Sequence, residues 1–190
     1  MAMQFARLIA AALLAAVCVF ASGCAITLPP PAASLGNVRD LRESDIQPMR
    51  IGQFTPDPAN KQADSVSLRA SGLSYPQGSF AVYLADAARA DLSAAGKLDE
   101  RSPRVLSGVL VTNDVDSSGF SVGTARHVAR FQLDVEGRRV YDKEQAVEST
   151  WESSFIGAVA IPAAANGFAA GFQKLLQKLF SDPEFKKAAR

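Results

Sequence analysis

Thr124-Ala125-Arg126-His127-Val128-Ala129-Arg130-Phe131-Gln132-Leu133-Asp134-Val135, followed by Glu136-Gly137 and then Arg138-Arg139-Val140-Tyr141, decides how this chain folds. Ala125, His127, Ala129, Phe131, Leu133 and Val135 alternate with Thr124, Arg126, Arg130, Gln132 and Asp134. A period of two belongs to a strand with one face buried and one in water. Val128 is the exception, an apolar residue on the polar side. Glu136-Gly137 predicts a tight turn, and Arg138 to about Trp151 returns as the antiparallel partner. On that returning strand Tyr141, Val147 and Trp151 share one parity.

Upstream of the hairpin, Arg104 to Thr112 is apolar on both faces, the pattern of a central strand. Asn113 to Gly119 reads as a loop by composition. Phe80, Tyr83, Leu84, Ala87, Ala88 and Leu92 recur at helical spacing, with Ser79 as N-cap and Gly96 for a left-handed exit; a helix is expected over 79–95. Pro48 to Phe54 is a strand, broken by Thr55-Pro56-Asp57-Pro58-Ala59-Asn60. Ser65 to Ala70 suggests a short edge strand. Downstream, Phe155 to Phe172 runs without a charge. Pro162 suits the first turn of a helix, whose buried stripe would be Ile161, Ala165, Phe168, Phe172, Leu175, Leu176 and Leu179. Ser181-Asp182-Pro183 restarts a short amphipathic turn. The expected fold is α+β: a mainly antiparallel sheet of four to five strands with two long helices on one face, the other face or an edge strand left available.

The front of the chain has a different character. Arg7 precedes an uninterrupted apolar run from Leu8 to Phe20, suited to a secretory signal and too short to span a bilayer. Ala21-Ser22-Gly23-Cys24 then looks like a lipobox, with cleavage between Gly23 and Cys24 and lipid attached to Cys24. Cys18 leaves with the signal and lipid blocks Cys24, so the mature chain would hold no free thiol. Ala25, where an Asp would retain a lipoprotein at the inner membrane under the enterobacterial rule, favours the outer membrane. Leu28-Pro29-Pro30-Pro31-Ala32-Ala33-Ser34 favours extended polyproline II, and Asn37 to Asp45 has no clean period and is expected either to pack onto the domain or to stay mobile. The organisation read from this is a signal peptide over 1–23, a lipidated cysteine and Pro-rich tether over 24–45, and one periplasmic domain over 46–190.

Removing Arg7 from 20 basic residues leaves 19 against 19 acidic ones. A net charge of zero provides no basic field for nucleic acid. Gly119-Phe120-Ser121-Val122-Gly123 matches the nucleophile-elbow pattern, which requires a strand before the serine and a helix after it. Here a strand follows. No acidic residue stands between Ser121 and His127, the only histidine. His127 lies on the apolar face of its strand, the place of a core residue. With one histidine and no free thiol, a zinc or copper site is not expected. Asp114 and Asp116 lack the terminal bidentate glutamate of a calcium loop. No metal, small-molecule cofactor or catalytic residue is expected, the covalent lipid aside.

The uncharged stretch from 155 to 172 contains Gly167-Phe168-Ala169-Ala170-Gly171, a spacing that lets a helix approach its neighbour closely. Three readings stand. It packs on the sheet; it leaves a docking patch for a partner or lipid, with Phe155, Ile156, Ile161, Phe168 and Phe172 as candidates; or it spans a membrane, for which Pro162, Asn166 and its glycines suit it poorly.

The order strand, long helix, strand, hairpin, final helix behind a lipobox resembles small envelope lipoproteins. The segments Phe80-Ala81-Val82-Tyr83-Leu84-Ala85-Asp86-Ala87 and Ala94-Ala95-Gly96 carry the likeness over about 47–180. It is similar to the YajG-like lipoproteins, the auxiliary lipoproteins of ABC-type envelope transport systems (the PqiC type), and the CsgG and TolB amino-terminal type of α/β module. The resemblance implies a non-enzymatic, lipid-anchored envelope component facing the periplasm, with the membrane and an envelope protein as partners. The alternative is an auxiliary subunit of an ABC-type lipid transport system; a hydrolase using Ser121 comes third.

Overall fold

The computed structural model describes residues 26–60, 62–69 and 71–190. Gly23, Cys24 and the signal segment lie outside the described residues. In chain order the elements are β1 (Ile26–Thr27), α1 (Leu35–Arg42), β2 (Arg50–Pro56), β3 (Val66–Leu68), β4 (Ser71–Ser74), α2 (Phe80–Ala95), β5 (Arg104–Asp116), β6 (Val122–Val135), β7 (Arg138–Glu152), α3 (Gly157–Ser181) and α4 (Pro183–Ala188).

The hairpin forms where the alternation places it. His127 pairs with Val147, Phe131 with Lys143 and Leu133 with Tyr141. Glu136 and Gly137 both take positive φ, 53° and 76°, the geometry of a turn whose twist matches that of the strands it joins. β5 is central, antiparallel to β6 and parallel to β2, giving the order β2-β5-β6-β7. A parallel pair needs a crossover, and the connection between β2 and β5 carries α2 together with β3 and β4, which β1, from the start of the described chain, joins in a small second sheet of order β1-β4-β3. β5 runs four residues past the expected strand, so Asn113 to Asp116 is ladder and not loop; their polar side chains alternate faces, Asn113 buried and Asp114 exposed.

Both long helices pack on one face, α2 against β2 and β5, α3 against β6 and β7. Leu84, Leu92, Leu106, Phe131, Leu133, Phe168, Phe172, Leu175 and Leu176 form a core at or near zero exposure. α2 begins at its Ser79 cap, whose side chain accepts from the Val82 N–H, and ends at left-handed Gly96, φ 72°. α3 starts at Gly157, so Pro162 is not in the first turn but inside the helix. There it removes a hydrogen bond to the carbonyl four residues earlier. No helix among the described residues is long and apolar enough to cross a membrane.

Residues 26–45 depart from the expected tether. Ile26 and Thr27 pair in parallel with Leu73 and Ser74, and Leu28 is 2% exposed. The Ser34 side chain caps α1, which lays Val38 and Leu41 over α2 and α3. Asn37 joins three helices: its Nδ2 donates to Asp91 at 2.8 Å and to the Gln173 carbonyl at 3.1 Å, while the Ser34 N–H donates to Asp91 at 2.7 Å. Burial pushes the Asp91 carboxyl up, against the pull of those donors.

Candidate functional site

One end of the molecule holds an uncharged apolar tip, made by the β5–β6 loop and the segment joining β7 to α3. Phe155 is 79% exposed, Phe120 65%, Ile156 62%, Val159 55% and Val122 53%. The rings of Phe120 and Phe155 meet at 5.4 Å between centroids. Isolated exposed apolar residues are ordinary, but a contiguous group marks a contact site.

Arg69 holds this tip together. It sits between β3 and β4 in left-handed backbone, φ 47°, a conformation that costs a non-glycine residue about 1 kcal/mol or more. Its backbone N–H donates to Ser117 Oγ at 3.0 Å, and Nε donates to the Ser117 carbonyl at 3.0 Å. Nη2 donates to the Gly119 carbonyl at 2.9 Å and to Ser153 Oγ at 3.2 Å, and Nη1 reaches the Phe155 carbonyl at 3.4 Å. The guanidinium also stands 5.9 Å from the Phe120 ring centroid. A planar fork of fixed donors is suited to bridging several carbonyls at once. The Ser153 N–H donates to the Ser121 carbonyl at 2.9 Å, stitching the two segments directly. Arg69 carried no signal in the sequence beyond its place in a short, low-contrast strand.

The five docking candidates divide. Phe155 and Ile156 are at the tip, and Ile161 is half-buried one turn along α3. Phe168 and Phe172 are wholly buried, and the proposal that they dock a partner is corrected. They stack with each other at 5.2 Å, on Phe80 and Tyr83 of α2, and on His127. Their helical period had placed them in the buried stripe, and packing follows the period.

Gly167 and Gly171 admit the sheet and not a second helix. A Cβ on Gly167 would fall 2.4 Å from the Trp151 ring, and one on Gly171 2.3 Å from His127 Cδ2 and Nε2. His127 is 0% exposed. Its Nδ1 lies 2.8 Å from Asn113 Oδ1, while Asn113 Nδ2 donates to the Ala63 carbonyl. That arrangement makes Nδ1 the protonated nitrogen and leaves Nε2 an acceptor, which has no hydrogen-bond donor among the described residues. Burial pulls the imidazole down to about 4, with the Phe168 backbone opposing.

The elbow-like motif has a packing explanation. Ser121 is exposed on a bend leading into β6. A Cβ on Gly119 would strike the Val122 carbonyl, and one on Gly123 would lie 2.4 Å from the Trp151 indole. Asp116 Oδ1 accepts from the Ser118 N–H and Oγ, which holds its carboxyl below the usual range.

The face of the four-stranded sheet away from α2 and α3 is charged. Arg130 and Arg139 bind Asp142 and Asp134, and Arg126 lies 3.6 Å from Glu148. Val128, the apolar exception, is buried between Thr112 and Ala146. Among the described residues β7 pairs only with β6. Beside its other edge a groove of about 490 Å³ runs between Ala146, Glu148, Lys174 and Gln177, and Lys178 Nζ donates to the Ala146 carbonyl.

No protein-family model matches the sequence, and no curated protein matches it. Among solved structures, the chain is similar to protein XCC0632 from Xanthomonas campestris, of the DUF330 family: TM-score 0.54, 15% identity, 87% of this chain and 93% of that one covered. A "putative lipoprotein" from Caulobacter crescentus matches at TM-score 0.47 and 14% identity, covering 80% of this chain and 96% of that one. A minor lipoprotein from Acinetobacter baumannii matches at 0.41 and 8%, over 73% and 93%. The first likeness carries the comparison, and at its identity it is a likeness of fold: the α+β arrangement seen here is shared with a DUF330 protein.

Proposed function

We propose that this chain is a lipoprotein of the bacterial envelope, anchored by lipid on Cys24 in the outer membrane and facing the periplasm. It works as a binding or assembly component and not by turnover. The observation that carries the reading is the tip, a surface for contact with the membrane or a partner: five apolar side chains are exposed on two segments that one arginine fixes in place. Building such a feature at the cost of a left-handed arginine fits a protein that acts by contact. The unpaired β7 edge beside its groove is a second surface, of the kind that receives an added strand or a side chain from a protein partner.

Two experiments test this. Cys24→Ser should leave a precursor that is neither cleaved nor acylated; a variant that matures and fractionates like the parent overturns the anchor. Photoreactive residues at Glu148 and Lys174, in the β7 groove, should capture one envelope protein reproducibly in intact cells. Failure to capture any would overturn the assembly role.

The fold shared with the DUF330 protein supports a second reading, an auxiliary subunit of an ABC-type lipid transport system, as the resemblance to PqiC-type lipoproteins implies. On that reading the captured protein is a transport component and capture is lost when the transporter is deleted.

A further inference from the structure

We propose that the tip enters the lipid surface to which the chain is anchored, so that the domain stands on the bilayer by two adjacent points. The inference rests on the anchoring reading above and adds an orientation to it. Three observations carry it.

The first is composition. The loop over 117–121 and the segment over 153–159 contain no charged residue; serines and glycines surround Phe120, Phe155, Ile156 and Val159. Arg69, the cation beneath them, is turned inward onto carbonyls. The loop carbonyls that would otherwise meet hydrocarbon unpaired are thereby partly satisfied, as insertion requires. Asp116 and Glu152 flank the tip on their strands, so attraction to anionic lipid is not the driving term; apolar burial is.

The second is polarity. β3 leads into Arg69, and β4 leads away from it antiparallel to β3. β1 runs parallel to β4, with Ile26 level with Leu73. The starting end of β1 therefore faces the Arg69 end of the small sheet, the end that carries the tip.

The third is reach. Cys24 precedes Ile26 by two residues. Two residues span at most about 7 Å, and Ile26 is already fixed in a ladder. A lipid on Cys24 and the tip are thus held at one pole of the domain. A protein partner on the tip would have to fit between the domain and its own anchor, whereas the bilayer is already there.

The test uses the full, acylated chain in vesicles of phosphatidylethanolamine and phosphatidylglycerol. With Cys24 acylated, single cysteines introduced as Phe155→Cys, Ile156→Cys or, as control, Arg138→Cys beside the far hairpin are the only thiols, and each takes an environment-sensitive fluorophore. Flotation reports the anchor and emission reports the tip. Expected are flotation of all three, a blue shift with quenching by brominated acyl chains at 155 and 156, and water-like emission at 138, little changed by salt. Flotation with water-like emission at 155 and 156 overturns insertion and leaves the anchor standing. A chain that does not float overturns the anchor, and insertion with it. Shielding of 155 and 156 in native membranes but not in vesicles would overturn the lipid as occupant in favour of a protein.

Discussion

His127 is a core residue whose protonation the fold resists. Its carboxamide partner Asn113, the rings of Phe168 and Phe172 and the backbone of Gly171 enclose it. The folded imidazole titrates at about 4, against about 6.5 in an unfolded chain. The unfolded state therefore takes up the proton first. Stability is fully present above pH 6.5 and is lost as pH falls toward 4, by about 3 kcal/mol over that window. Denaturant titrations at pH 7, 5.5 and 4.5 check this, and the slope should flatten in His127→Gln. The same seam predicts a cost for added atoms. Gly171→Ala places a methyl 2.3 Å from the imidazole on a helix already pressed to the sheet, and a loss of about 1–3 kcal/mol is expected on unfolding. An equal or higher stability, as helix propensity alone would give, would show that the seam yields. The sequence placed His127 on the buried face of its strand and offered a small-residue contact of α3 with the sheet, but not that Gly171 is the residue that meets His127; a glycine pair records close approach and not what approaches.

The junction between α3 and α4 turns on one carboxylate. Asp182 ends α3 and caps α4, Oδ1 accepting from the Glu184 N–H at 2.9 Å. Oδ2 accepts from the Tyr141 hydroxyl at 3.0 Å, from Gln145 at 2.7 Å and from Lys143 at 3.1 Å. Burial alone would raise its pKa, but Lys143 and the other donors hold it below the usual range; burial and this carboxylate push Tyr141 up to about 12. Asp182→Ala removes the cap and the acceptor of the buried Tyr141 hydroxyl, and leaves Gln145 only its bond to that hydroxyl, so a loss of about 2–4 kcal/mol is expected by denaturation. Asp182→Asn, which keeps an acceptor, should cost less. Sequence reading located this turn through Ser-Asp-Pro, and located α2, β6 and β7 through their periods. It missed β1, β4 and α1 because two to eight residues are too few for a period to show. It stopped β5 too early because Asn113, Asp114 and Asp116 are poor strand formers, held in the ladder by β6.

At the scale of the molecule, the outcome that matters for function is where the fold begins. A Pro-rich leader read as a spacer, since polyproline II is extended and makes no bonds of its own. Here the prolines bridge a short strand to a capped helix, and Leu28 fills the core between them at 2% exposure. The extended conformation is thus compatible with both outcomes, and what separates them is the apolar residue before the prolines and the Ser34 cap after them. The two outcomes predict opposite results for one substitution. Leu28→Ala on a free spacer would leave stability unchanged. In this fold it opens a cavity under the small sheet, and about 2–4 kcal/mol should be lost, measurable by denaturant unfolding of the acylated chain in detergent. If that loss is seen, the packed domain starts two residues from Cys24, and the tip has no slack by which to leave the membrane surface while the anchor stays in it.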